Sequence, residues 1–144
     1  MDAYFDTAII LKLYVQEATS PDALRLANES PAPYLLTPWQ EIEVRTALRL
    51  KAFREEITPA EMQASLDAFD EDILSGRWKT PEYQEATIWK LARELSDRHA
   101  LKIGCRTLDL LHVAVALSLG VTTFVTFDER QRAVAKSEGL TVKP

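Results

Sequence analysis

The sequence predicts an α/β domain built on a parallel sheet, with helices on both faces. Three observations predict it. Short apolar runs rich in β-branched and aromatic residues alternate with stretches of helical periodicity. The passages between them carry recognisable stop and start residues: Gly120, Thr37-Pro38 and Thr58-Pro59. And 144 residues, 47% hydrophobic and 27% charged, suffice for one domain, 1–144, with a real core.

In order, Ala3-Tyr-Phe-Asp6 reads as a short apolar strand ending in an acid. Thr7 to Gln16 follows as an amphipathic helix, with Ile9, Ile10, Leu13 and Tyr14 or Val15 at helical spacing. Ser20-Pro21-Asp22 opens a helix to about Glu29, Ser as cap and Pro in the first turn. Pro31 and Pro33 break it, and Tyr34-Leu-Leu-Thr37 is the second strand. Thr37-Pro38-Trp39-Gln40 is a capping-box signature for a helix to about Arg54. Thr58-Pro59-Ala60-Glu61 repeats it for a helix to about Leu74. The next helix runs from Pro81 to His99, so that Thr58 to His99 forms a helical-hairpin insertion. Leu101-Lys-Ile103 reads as a short strand.

The central unit is Arg106 to Arg130. Thr107 caps a helix apolar on nearly every face, from Leu108 to Leu119, and therefore buried. Gly120 stops it in a left-handed conformation. Val121 to Phe127 is a β-branched and aromatic strand, Glu129 to Glu138 a last helix, and Leu140-Thr-Val142 an edge strand. Strands separated by helices imply parallel pairing through right-handed crossovers.

The totals narrow the functional classes. A single Cys105 excludes an internal disulfide and fits a reducing compartment. No apolar run approaches the roughly 20 residues that span a bilayer. Asp2 and Asp6 interrupt the start, so no signal peptide is expected and the chain reads as cytoplasmic. The net charge of −5, from 22 acids and 17 bases, argues against a broad basic surface for nucleic acid. It does not argue against a nuclease, because a cation-binding acidic pocket is itself negative.

Ligands of an open parallel sheet bind beyond the carboxyl ends of its strands. Asp6 and Asp128 end strands, Glu43 lies in the second turn of the helix after strand two, and Asp109 lies in the first turn of the buried helix. Four carboxylates within a few ångströms stay ionised only if a cation offsets their repulsion. An all-oxygen pocket suits Mg²⁺ or Mn²⁺ rather than zinc. Each acid also has an ordinary role open to it. Asp6 can be an N-cap, Asp109 and Asp128 can complement helix dipoles, and Glu43 can be solvated or paired. Glu41 competes with Glu43, since the two lie about 200° apart around a helix. His112 shares the face of Asp109 and is read as a hydrogen-bonded core residue. No paired Cys/His pattern, nucleophile elbow, Walker loop or dinucleotide glycine motif is present. A dehalogenase-type phosphatase needs a second acid two residues after the first, where Ala8 stands. A receiver domain needs a Lys after its last central strand, where Glu129 and Arg130 stand.

Tyr4-Phe-Asp-Thr-Ala8 with Leu11-Lys-Leu-Tyr14, then Glu43-Val-Arg-Thr-Ala-Leu48, then Arg106-Thr-Leu-Asp-Leu-Leu-His112, then Phe124-Val-Thr-Phe-Asp128 and Gly139-Leu-Thr-Val142 together resemble the ordered motifs of PIN-domain ribonucleases. The resemblance is especially to the VapC-type toxins of bacterial toxin–antitoxin pairs. The resemblance implies a three-layer α/β/α sandwich with a central parallel sheet. It implies Mg²⁺- or Mn²⁺-dependent endonucleolytic cleavage of RNA, metal binding by Asp6 and Asp109, and Glu43 (over Glu41) and Asp128 completing the pocket. It also implies a small antitoxin partner and a homodimer. Thr126 matches a hydroxyl residue near the fourth acid, and Arg45 and Arg106, with Arg49, Arg130 and Arg132, are candidates for phosphate contacts. The alternatives are a non-catalytic interaction module, for which Trp39, Trp78 and Trp89 would serve as exposed anchors, and a housekeeping RNA-processing nuclease without an antitoxin.

Overall fold

β-Branched and aromatic segments from the beginning and end of the chain pair side by side. In the computed structural model, which describes residues 2–144, the elements in chain order are β1 (Ala3–Phe5), α1 (Thr7–Lys12), α2 (Ser20–Asn28), β2 (Tyr34–Leu35), α3 (Pro38–Phe53), α4 (Pro59–Leu74), β3 (Trp78–Lys79), α5 (Glu85–Leu95), α6 (Leu101–Ile103), α7 (Thr107–Ser118), β4 (Thr123–Val125), α8 (Glu129–Ser137) and β5 (Thr141–Lys143). A π-helical turn, Ser96–Ala100, joins α5 to α6. Contacts divide the chain into two units: Thr7–Thr80, and Asp2–Asp6 with Pro81–Pro144. Among the described residues, no helix is long and apolar enough to cross a membrane.

The second unit holds a parallel sheet in the order β1-β4-β5, as the alternation of strands and helices predicts. Register places Tyr4 beside Phe124 and Phe5 beside Val125. The Tyr4 and Phe124 rings stack at 5.4 Å. All three β1 residues are buried, which accounts for their apolar character. Helix α7 packs on α5 and α8. It ends in a two-bond C-cap: Gly120 N donates to Leu117 O at 3.1 Å and Val121 N to Ala116 O at 3.3 Å. This geometry needs the positive φ of Gly120, 66°.

In the first unit β2 pairs with β3, in parallel; α1 packs on α2 and α3, and α3 on α4. Both capping boxes form. Thr37 and Thr58 accept from the amides of Gln40 and Glu61, whose side chains accept in return from the cap amides. Arg45 on α3 binds Glu41 and Asp70 and lies over the Phe69 ring, 5.5 Å from its centre. Tyr14 donates to Asp72 Oδ2 at 2.6 Å and accepts from Trp78 Nε1 at 2.6 Å. Burial, reinforced by Asp72, pushes its phenol well above the usual range, so it stays a donor.

Several local expectations are corrected. The first helix stops at Lys12, not Gln16, because the turn after it carries Tyr14 to Asp72 and Trp78. Thr19, not Ser20, takes the N-cap position of α2, and the Ser20 hydroxyl instead donates to Val15 O. Trp78 and Lys79 form an unforeseen strand, with Trp78 2% exposed and therefore not a surface anchor. Trp39 is half-buried and Trp89 is exposed. The helix expected from Pro81 begins at Glu85, and Leu101–Ile103 is helical, not a strand. Leu101 is 97% exposed, so a strand there would bury nothing. The two helices expected to pair as a hairpin divide between the units: α4 packs on α3 and α5 on α7.

The π turn is fastened to the end of α8. Arg98 donates to both Glu138 oxygens at 3.0 Å, and His99 Nε2 lies 2.5 Å from Oε1. Burial opposes ionisation of Glu138, but Arg98 and His99 outweigh it and hold the carboxyl below its ordinary 4.5. A depressed folded pKa contributes stability that is present above the unfolded value and disappears as pH falls through the folded one. Glu138→Gln is therefore expected to lower the melting temperature at pH 7. The gap to wild type should narrow as pH falls below the ordinary 4.5, in thermal melts followed by circular dichroism.

Candidate active site

Parallel register builds the centre of the site. Because Phe5 lies beside Val125 and Asp6 N donates to Val125 O at 3.1 Å, the next residues of the two strands, Asp6 and Thr126, come out together at the carboxyl end of the sheet. Asp6 is 2% exposed. A carboxylate so deeply buried must be met by donors. Thr126 Oγ1 donates to Asp6 Oδ2 at 2.5 Å and accepts from Asp128 N at 2.9 Å. The short distance is that of a hydrogen bond to an ionised acceptor.

Asp128 caps α8, its Oδ1 accepting from the amides of Arg130 and Gln131, both at 2.9 Å. Gln131 turns inward and is 8% exposed. Its Nε2 donates to Asp109 Oδ1 at 3.3 Å, and its Oε1 lies 3.5 Å from the Thr126 hydroxyl. Asp109, at the third position of α7, also accepts from Arg106 N at 2.8 Å through Oδ2. Thr107 is thus not the cap of α7, and Asp109 closes the helix start from inside. Asp6, Asp109 and Asp128 are joined by Thr126 and Gln131 in one hydrogen-bonded network.

Gln131 is the residue that sequence reasoning missed. A signal existed: Asp128-Glu-Arg-Gln131 has the same cap-to-third-position spacing as the boxes at Thr37 and Thr58. Here, however, the glutamine side chain leaves its own helix for Asp109.

Glu43 lies in the first unit, where Thr7 Oγ1 donates to its Oε1 at 2.9 Å. Thr7 follows Asp6 directly in the chain. Glu41 is taken up by Arg45. His112 is a core residue, 3% exposed, with Nδ1 2.8 Å from the Tyr4 hydroxyl. Of the arginines, Arg45 is committed to Glu41 and Asp70. Arg132 donates to the carbonyls of Thr126 and Pro144. Arg49, Arg106 and Arg130 are exposed. Burial pushes the Cys105 thiol up, and the nearby Asp109 charge adds to this, so it is a poor nucleophile at neutral pH.

The PIN domain family model matches residues 3–137. The chain belongs to the PIN domain family. The PIN domain is a nuclease fold, mixed α/β around a parallel sheet; its members generally use divalent metals and act on RNA. No curated protein matches the chain. Among the described residues, no three His, Cys, Asp or Glu side chains are grouped closely enough to hold one ion between them. In this PIN domain Thr126 and Gln131 stand between the acids. The donors are nonetheless all oxygens around Asp6, which fits a hard divalent cation rather than zinc.

Removing the Thr126 hydroxyl takes a donor from a buried charge. Thr126→Val is expected to lower unfolding free energy by about 1.5–3 kcal/mol in urea titrations, the range for hydrogen bonds to charged groups. Thr126→Ser should restore most of it.

Proposed function

We propose that this PIN domain is a divalent-metal-dependent endoribonuclease, the toxin component of a type II toxin–antitoxin pair acting in the cytoplasm. The observation that carries the reading is the Asp6–Thr126–Gln131–Asp109 network at the carboxyl end of the sheet, in a chain of a nuclease family. Asp6 and Asp109 would hold Mg²⁺ or Mn²⁺, with Asp128 completing the acidic set. When bound, the ion supplies a water of lowered pKa and offsets charge on the phosphodiester.

The side chains do the rest. Asp6 is oriented by Thr126 and shielded by burial, so its charge acts through a low-dielectric setting. Asp109 is fixed at both oxygens by neutral N–H donors. Arg106 is exposed two positions before Leu108 and is assigned to the RNA backbone, with Arg130 beside Asp128. Arg45 takes a lesser part, since Glu41 and Asp70 already share its charge. At a net charge of −5 the RNA is held by these local contacts, not by a general basic surface. The partners under this reading are a small antitoxin protein and a second copy of the chain.

Purified protein with Mg²⁺ is expected to cut total cellular RNA, leaving 5′-phosphate ends, and to stop on chelation. Asp6→Asn and Asp109→Asn should each lose at least about 100-fold in rate, more than the loss typical of a residue behind a metal ligand, with the fold retained by circular dichroism. Wild-type rates from folded samples of both variants would overturn the assignment. Induced expression should arrest growth for wild type and not for Asp6→Asn, which separates a toxin from an inactive binding module.

A further inference from the structure

Several carboxylates elsewhere in this chain are paired with cations. Glu17 meets Lys12 and Lys51, Glu41 and Asp70 meet Arg45, Asp72 meets Arg77, and Glu138 meets Arg98. Asp109, like Asp6 and Asp128, is met by neutral donors. Its two hydrogen bonds come from neutral groups, the Arg106 amide on Oδ2 and the Gln131 carboxamide on Oδ1. A neutral donor fixes a carboxylate's direction without cancelling its charge.

Gln131 is itself built for this task. Its amide nitrogen on the backbone is bound by Asp128 Oδ1 at 2.9 Å, which sets the first turn of α8. Its side chain is buried, so its rotamer freedom is lost. Nε2 donates to Asp109 Oδ1, and Oε1 lies 3.5 Å from the Thr126 hydroxyl, whose one proton goes to Asp6. The opposite orientation would point a carbonyl oxygen at a carboxylate, so the assignment of oxygen and nitrogen follows from charge.

We propose that Gln131 is a positioning residue that aims the Asp109 carboxylate and sets its spacing from Asp6, and thereby determines how tightly the pair takes a divalent cation. The inference rests on the metal-dependent reading above. Gln131 touches neither RNA nor the cation in this role. Its effect passes through Asp109.

Gln131→Met keeps side-chain length and helix propensity and removes the carboxamide. Mn²⁺ binding by calorimetry is expected to weaken at least about tenfold, as for loss of a ligand-orienting partner. Mn²⁺ required for half-maximal cleavage should rise in parallel, while the rate at saturating Mn²⁺ stays within about threefold, since only binding has been lost. A merely structural role would lower the saturating rate and leave Mn²⁺ affinity unchanged. On the unaltered protein, the Gln131 side-chain amide resonances should shift during a Mg²⁺ titration, with the same midpoint as the Asp6 amide. Equal Mn²⁺ affinity for Gln131→Met and wild type, or amide resonances that stay fixed while Mg²⁺ saturates, overturns the role of Gln131 and leaves the nuclease assignment standing. Absence of Mn²⁺ binding by the wild-type protein overturns both.

Discussion

A carboxylate at 2% exposure is tolerable only where donors meet it, and the 2.5 Å bond from Thr126 to Asp6 is where that requirement falls. Most of the second unit can be traced to it. The bond exists because β1 and β4 run parallel with Phe5 beside Val125, so their next residues emerge as neighbours. An antiparallel pair would send Asp6 and Thr126 to opposite ends. The register in turn depends on buried packing: Tyr4 stacks on Phe124 and its hydroxyl reaches His112 on α7. His112 is thus packed behind the strand that carries Asp6.

What was legible in the sequence was what short range decides. The boxes at Thr37 and Thr58 close over three residues, and the helices they open end within a residue of where periodicity places them. The stop at Gly120 is legible because only a left-handed residue completes that cap. What was not legible depended on distant partners. A two-residue strand such as Trp78–Lys79 has no period, and it exists because Tyr34 and Leu35 lie beside it. The helix after Thr7 has apolar spacing to continue beyond Lys12, yet Tyr14 is bound by residues 58 and 64 positions away. The π turn at Ser96–Ala100 is held by Glu138, some 40 residues on.

The site divides in the same way. The positions of Asp6, Asp109 and Asp128 at element ends follow from the apolar runs beside them, so sequence places them well. Their mutual connection does not follow, because it passes through Gln131, 22 residues from Asp109 and silent in composition. Glu43 illustrates the other limit. Angular spacing leaves Glu41 and Glu43 equivalent, and the difference appears only through their partners, Arg45 for one and Thr7 for the other.

Capping and chemistry are often treated as competing explanations for an acid at a helix start. Here they cooperate. Both cap bonds at Asp128 fall on Oδ1, and the bond from Arg106 to Asp109 falls on Oδ2, so each helix terminus fixes one oxygen of its acid. A side chain held at one oxygen has lost part of its freedom to rotate, and at Asp109 the Gln131 carboxamide holds the second oxygen as well. That is the preorganisation a cation-binding carboxylate needs, since an unrestrained one must be ordered at the moment of binding. The local role does not replace the functional one. It supplies the rigidity on which a metal-dependent nuclease would draw.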